Sequence, residues 1–172
     1  MKNFKPNWYL IYTKVNQEKK VAEQLNDLEL QTFLPLIKRA HNGTTQRKIV
    51  HRPLFPSYLF VHLDSLSNYF TVLDLREVVN YVRFGKEYAI VPKSTINNIQ
   101  ILVNHDSEIR VTTDRFVAGK KFLLDDGPLK GLICEIVNRT KEKEILVSIE
   151  MLNRKLLIDL PIEYLQKSFA IC

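Results

Sequence analysis

The sequence predicts an α+β chain: a mixed antiparallel sheet with helices packed on it, joined by a linker to a small all-β unit. Three observations carry this. Over residues 6–104, β-rich apolar runs alternate with runs of helical period. Residues 104–115, NHDSEIRVTTDR, are polar and poor in bulky apolar side chains, which is the composition of a linker. From Phe116 onward short apolar runs recur between turn signals, the spacing of a small barrel. The expected division is 6–104, then a linker over 105–115, then a β-barrel over 116–172.

The elements follow in order. WYLIYT, residues 8–13, is rich in β-formers. In NQEKKVAEQLNDL, residues 16–28, Val21, Ala22, Leu25 and Leu28 recur at helical spacing, which leaves Lys19 and Lys20 near Lys14 at the wet side of the helix start. TFLPLIKR leads into the basic segment HNGTTQRK with its Asn-Gly turn signal. RPLFPSYLFV, residues 52–61, is apolar on both sides. Strand alternation turns Tyr58 and Phe60 one way and Leu59 and Val61 the other. A small domain normally wets one such face, so this run raises the question of what covers the second.

Ser65 or Ser67 is expected to cap a short helix through SNYFTVLDL, VVNYVRFG reads as a strand ended by Gly85, and Ser94 is expected to cap a last helix, TINNIQILV. Beyond Phe116, KKFLLDD, LICEIVN, ILVSIEML and KLLIDL read as strands, with GPLKG, RTKEKE and NR between them. Gly127-Pro128 and Gly131 form the sharpest turn, because glycine takes positive φ at little cost. The stretch 149–167 also suits helices by propensity. Strands are favoured, since Val137, Val147, Ile149 and Ile158 are β-branched and Pro161 interrupts any long helix.

Composition narrows the function. The 172 residues are 45% hydrophobic, yet no stretch approaches the ~18 apolar residues of a membrane span, and no secretory signal pattern opens the chain. The two cysteines, Cys134 and Cys172, lie far apart without metal spacing, which suits a reducing compartment such as the cytoplasm. Residues 1–61 hold ten Lys/Arg against four Asp/Glu, whereas residues 62–172 hold fifteen of each. The whole formal +6 therefore lies in the first third, which points to an anionic partner. His41, His51, His62 and His105 share no helix face or ligand spacing, and the chain has neither a phosphate-binding Gly-rich loop nor a nucleophile elbow. No catalytic residue, metal site or cofactor is expected, and the chain is read as a non-enzyme.

WYLIYTK at 8–14, PLFPSYLFV at 53–61 and VVNYVRFG at 78–85 resemble the N-terminal (NGN) domain of the NusG family of transcription elongation factors. AGKKFLLDDGPLKGLICEIV, residues 118–137, resembles the KOW motif of that family's C-terminal, SH3-like barrel. The Leu-Phe-Pro-Ser-Tyr-Leu-Phe run and Val-Arg-Phe-Gly look most like specialised paralogues of the RfaH and UpxY antitermination type.

The resemblance implies a transcription elongation and antitermination factor that suppresses pausing or termination. It would dock on the clamp helices of the largest RNA polymerase subunit through Tyr12, Phe55, Tyr58 and Phe60. It would meet the non-template DNA strand through Lys14, Lys19, Lys20, Gln24 and Arg76. Gly119, Gly127, Pro128 and Gly131 would be the KOW turn, and the barrel would recruit ribosomal protein S10 or the factor Rho. A monomer without membrane contact is expected. Two departures stand out: Asn68-Tyr69-Phe70 replaces the His-Thr-Thr run with which RfaH touches the polymerase gate loop, and Cys134 occupies the place of a second KOW glycine. The alternative is a ribosomal or RNA-binding KOW protein without polymerase contacts. It would share the charge and the barrel but would not need Tyr58 and Phe60 on an open face.

Overall fold

The structure is a computed structural model, and it describes residues 4–41, 48–104, 109–112, 121–123, 133–141, 144–151, 154–161 and 169–171. The chain divides into two compact units, Met1–Ile96 and Asn97–Cys172. Among the described residues the strand ladders are all antiparallel.

In the first unit the elements run β1 (Asn7–Thr13), α1 (Glu18–Asp27), β2 (Thr32–Phe33), β3 (Leu36–His41), β4 (Lys48–Pro53), β5 (Tyr58–Leu63), α2 (Leu66–Leu73), β6 (Val78–Tyr81), β7 (Arg83–Phe84), β8 (Glu87–Tyr88) and β9 (Ile90–Val91). The main sheet has the order β2-β5-β1-β6, with β9 also paired to β1. The basic segment forms a separate two-stranded ribbon, β3 with β4. Val82 separates β6 from β7, so VVNYVRFG is two strands rather than one. Gly85, at φ +63, takes the first central position of the β7–β8 hairpin, where a two-residue loop requires positive φ.

Register decides the two faces of the sheet. Tyr9 stands opposite Val61 and Ile11 opposite Leu59, and these side chains form the core with Val21 and Leu25 of α1 and Tyr69 and Val72 of α2. The pairs Trp8–His62, Leu10–Phe60 and Tyr12–Tyr58 occupy the other face.

Both helices end or begin with recognisable chemistry. Leu28 is not a core residue of α1, as the helical spacing suggests. It is the C-cap and is exposed, because the chain leaves the helix there. The next residue, Glu29, takes φ 58, its N–H reaches Asn26 O, and the Leu30 N–H reaches back to Leu25 O at 2.9 Å. That bond pattern is a Schellman motif, and it turns Leu30 into the core in place of Leu28. Ser65 caps α2 by accepting from the Asn68 N–H at 3.2 Å.

The last helix, α3 (Lys93–Val103), buries Ile96, Ile99 and Leu102 along one stripe. Ser94 is not its cap but lies inside the first turn. The Pro92 carbonyl accepts from the N–H groups of Thr95 and Ile96 instead.

The second unit holds β10 (Ile109–Thr112), β11 (Lys121–Leu123), β12 (Ile133–Lys141), β13 (Glu144–Met151), β14 (Arg154–Pro161) and β15 (Phe169–Ile171), in the sheet order β10-β14-β13-β12-β11-β15. Residues 109–112, linker by composition, are thus a strand. Ile109, Val111 and Thr112 are β-branched and pair with Ile158, Leu156 and Lys155. The RTKEKE segment is less of a turn than its composition suggests, since pairing continues as far as Lys141–Glu144. Residues 144–151 and 154–161 are strands, not the helices their propensity also allows. Gly119, Gly127, Pro128 and Gly131 lie outside the described residues.

Candidate functional site

The greasy strand enters the sheet through a tight turn. The Tyr58 N–H bonds to Phe55 O at 3.1 Å, with Pro56 and Ser57 between them and Ser57 at φ 67. Proline followed by a positive φ is the pattern of a type II turn, although serine is an unusual choice where glycine or asparagine fits better. The turn is held at both polar ends of Ser57. Its carbonyl accepts from the Thr13 N–H at 2.9 Å, and its N–H donates to Oε1 of Glu18, at the start of α1, at 2.6 Å. Glu18 and Ser57 are both buried, so this bond is made away from water.

The turn delivers Tyr58 beside Tyr12, with ring centroids 5.5 Å apart. Tyr12 also stands opposite Asn80 of β6, so Asn80, Tyr12 and Tyr58 form one row across three strands. Tyr12 is 39% exposed and Tyr58 half-buried. One row further in, exposure ends. Phe60 is 0% exposed, stacked on Phe33 at 5.8 Å and met edge-on by Phe55 at 6.2 Å, and Phe55 itself is 1% exposed. Of the four residues expected to meet a polymerase, two present surface in this structure and two lie beneath it.

The expected DNA residues gather around the same end of β1. Lys14 follows the strand directly and donates its N–H to Glu77 O at 2.9 Å. Lys20, on α1, pairs through Nζ with the Glu77 carboxylate. Arg76 precedes Glu77 in the α2–β6 connection and is exposed. Gln24 lies one turn beyond Lys20 on the same side of α1, half-buried, and its Oε1 is buried with no hydrogen-bond partner. Lys19 is exposed on the helix between these residues and Glu18.

The Lys20 hydrogen bond is the main reason Glu77 ionises below the ordinary carboxylate value of 4.5, and the Lys14 charge adds to the effect. Sequence reasoning passed over both Glu77 and the Glu18–Ser57 bond. An acid in the first turn of α1 was visible, but nothing local indicated a partner 39 residues away.

The segment Asn68-Tyr69-Phe70 divides its roles. The Asn68 backbone makes the α2 cap, while Tyr69 is buried, stacked on Tyr81 at 4.5 Å and hydrogen-bonded through its hydroxyl to Tyr88 at 2.8 Å. Burial, with that hydroxyl contact, raises the Tyr69 pKa to about 12, and burial pushes Tyr81 up as well. Phe70 faces water at 54% exposure. Among the described residues no group of three or more His, Cys, Asp or Glu side chains is arranged to hold a metal, and no helix is long and apolar enough to cross a membrane.

Residues 6–100, more than half of the chain, match the family model described as "Transcription termination factor nusG". Among solved structures, one described as "Domain interaction in Thermotoga maritima NusG" is 21% identical, over 93% of this chain and 96% of that one, with a TM-score of 0.57. At that identity the likeness speaks for the fold alone. Conformation B of the MjSpt4:Spt5 complex is 15% identical over 95% of this chain and 96% of that one, at a TM-score of 0.35, too low to bear on the fold.

Proposed function

The chain belongs to the NusG family, a family of non-enzymatic transcription factors whose membership implies association with RNA polymerase, and on that premise we propose that it is an elongation and antitermination factor of the specialised RfaH or UpxY type. The N-terminal unit docks on the clamp helices of the largest polymerase subunit and touches the non-template DNA strand beside them. Such a factor suppresses pausing only by binding the active polymerase better than the paused one, since a ligand shifts an equilibrium by its differential affinity. The strands from β11 onward belong to an SH3-like KOW barrel over residues 116–172 that recruits a second partner, ribosomal protein S10 or Rho. The protein works as a cytoplasmic monomer.

The observation that carries this reading is the Tyr12–Tyr58 pair, Tyr12 exposed and Tyr58 half-buried, standing one row beyond the enclosed Phe60, with Tyr12 two residues from Lys14. Exposed aromatics on a rigid sheet suit the apolar ridge of a two-stranded coiled coil. Phe55 and Phe60, packed on each other beneath the surface, lie in the same strand and turn that carry Tyr58. Lys14, Lys19, Lys20 and Arg76 supply phosphate contacts, and Gln24 supplies a hydrogen-bonding group for a base edge.

The test replaces these two rings. Tyr12→Ala with Tyr58→Ala should leave the melting transition nearly in place and abolish polymerase pull-down, because anchoring aromatics cost about 2 kcal/mol or more each on truncation. Retained binding by the folded double variant would exclude the clamp contact and favour the ribosomal or RNA-binding alternative.

A further inference from the structure

The basic face has a carboxylate at its centre. Glu77 accepts a hydrogen bond from Lys20 Nζ through its side chain, holds the Lys14 N–H through its carbonyl at 2.9 Å, and follows Arg76 in the chain. Two of the five residues proposed for DNA, Lys14 and Lys20, are therefore tied to one acid, and a third, Arg76, precedes it in the chain. The pair is asymmetric in its access to water, the Lys20 side chain being 55% exposed and that of Glu77 only 13%. Glu77 sits inward, and Lys20 lies over it at the surface. Lys20 and Lys14 keep Glu77 ionised to a lower pH than an ordinary carboxylate.

A lysine gains affinity for DNA by neutralising a phosphate and releasing its condensed counterion. A lysine already neutralised by a carboxylate must first give up that partner, so the two anions compete for one ammonium. We propose that Glu77 is an intramolecular competitor for phosphate at Lys20, holding that lysine neutralised until a single-stranded DNA phosphate displaces the carboxylate. The consequence is a face whose sequence-independent attraction is lower than its count of cations indicates. The displaced carboxylate also stays close to the phosphate, which opposes binding through this lysine further. This inference rests on the DNA reading above.

The experiment measures binding of the full chain to a labelled mixed-sequence single-stranded oligonucleotide over a range of salt concentrations, with circular dichroism to verify folding. Glu77→Gln should bind about three- to fivefold more tightly at low salt, the size expected when a surface ion pair no longer competes. Its plot of log affinity against log salt should be steeper by up to about 0.7, because the carboxylate that stays beside the phosphate and offsets one neutralising charge is gone. Glu77→Ala should change binding in the same direction.

In a Lys20→Met background, Glu77→Gln should alter affinity by less than about twofold, because the lysine for which Glu77 competes is gone. An equal gain with and without Lys20 would reduce Glu77 to a long-range charge and overturn the proposal. Weaker binding by both Glu77 variants would also overturn it, making Glu77 a support for Lys20 rather than its competitor. If the native chain shows no salt-dependent binding, the DNA reading falls and this inference with it. If replacing Lys14, Lys20 and Arg76 together flattens the salt slope while Glu77→Gln changes nothing, this inference alone falls.

Discussion

The two faces of the first sheet use the same strands differently. On one, Tyr9, Ile11, Leu59, Val61 and Leu63 are all buried, packed with α1 and α2. On the other, burial is graded outward from the middle row: Leu10 and Phe60 are enclosed, whereas Tyr12 and Tyr58, two residues along, reach water, and His62 at the opposite end is half-buried. The closed face is a core. The graded face is a core that ends in a surface, and the proposed function belongs to its open end. An apolar strand is thus neither wholly structural nor wholly functional, and adjacent rows on one face take opposite roles.

The largest expected effect tests this gradient. Phe60→Ala should cost about 3–5 kcal/mol in chemical denaturation, as truncation of a fully buried phenylalanine does, while Tyr12→Ala should cost about 1 kcal/mol or less. Similar losses at the two positions would mean that the graded face is uniform after all. Docking is therefore tested at Tyr12 and Tyr58 and not at Phe60, whose truncation would remove binding by unfolding the domain.

A smaller effect tests how the open end is held. Glu18→Ala leaves the buried Ser57 N–H without its acceptor, which should cost about 1–3 kcal/mol of stability. It should also weaken polymerase pull-down, because the turn that delivers Tyr58 loses one of its two anchors. A variant as stable as the native chain would show that the Thr13–Ser57 backbone bond alone holds the turn.

The smallest effect is absent at neutral pH and concerns the closed face. An unfolded tyrosine ionises near 10.0, whereas Tyr69 in the fold ionises at about 12 and Tyr81 is also raised. Between those values the folded chain keeps protons that the unfolded chain releases. The stability this contributes is whole below pH 10 and is lost as pH rises through the folded value. Tyr69 and Tyr81 should therefore ionise late in an absorbance titration at 295 nm, and the melting temperature should begin to fall above pH 10. Loss of any late phase from Tyr69→Phe and Tyr81→Phe differences, with both groups ionising near pH 10, would mean that the tyrosine cluster is open to water.

Much of the fold was legible because its causes are local. Apolar alternation marks β1 and β5, helical spacing marks α1, the Ser65 hydroxyl caps α2, and glycine ends the strand at 85. The excess of lysine and arginine in the first third was likewise a matter of reading residues in order. The candidate site was legible only as a set of residue types.

Alternation states that Tyr58 and Phe60 share a side, but not that one is wetted and the other enclosed, because enclosure depends on what the rest of the chain brings up. Glu18 finds Ser57 across 39 residues and Lys20 finds Glu77 across 57, separations at which no spacing rule operates. Nor did composition reveal β10, whose polar neighbours read as linker until β14 supplied a partner for its backbone. Pattern along the chain is set by the geometry of a helix turn or a strand pleat, so sequence determines it. Burial and ion pairing are set by contacts between distant segments, so only the tertiary structure decides them.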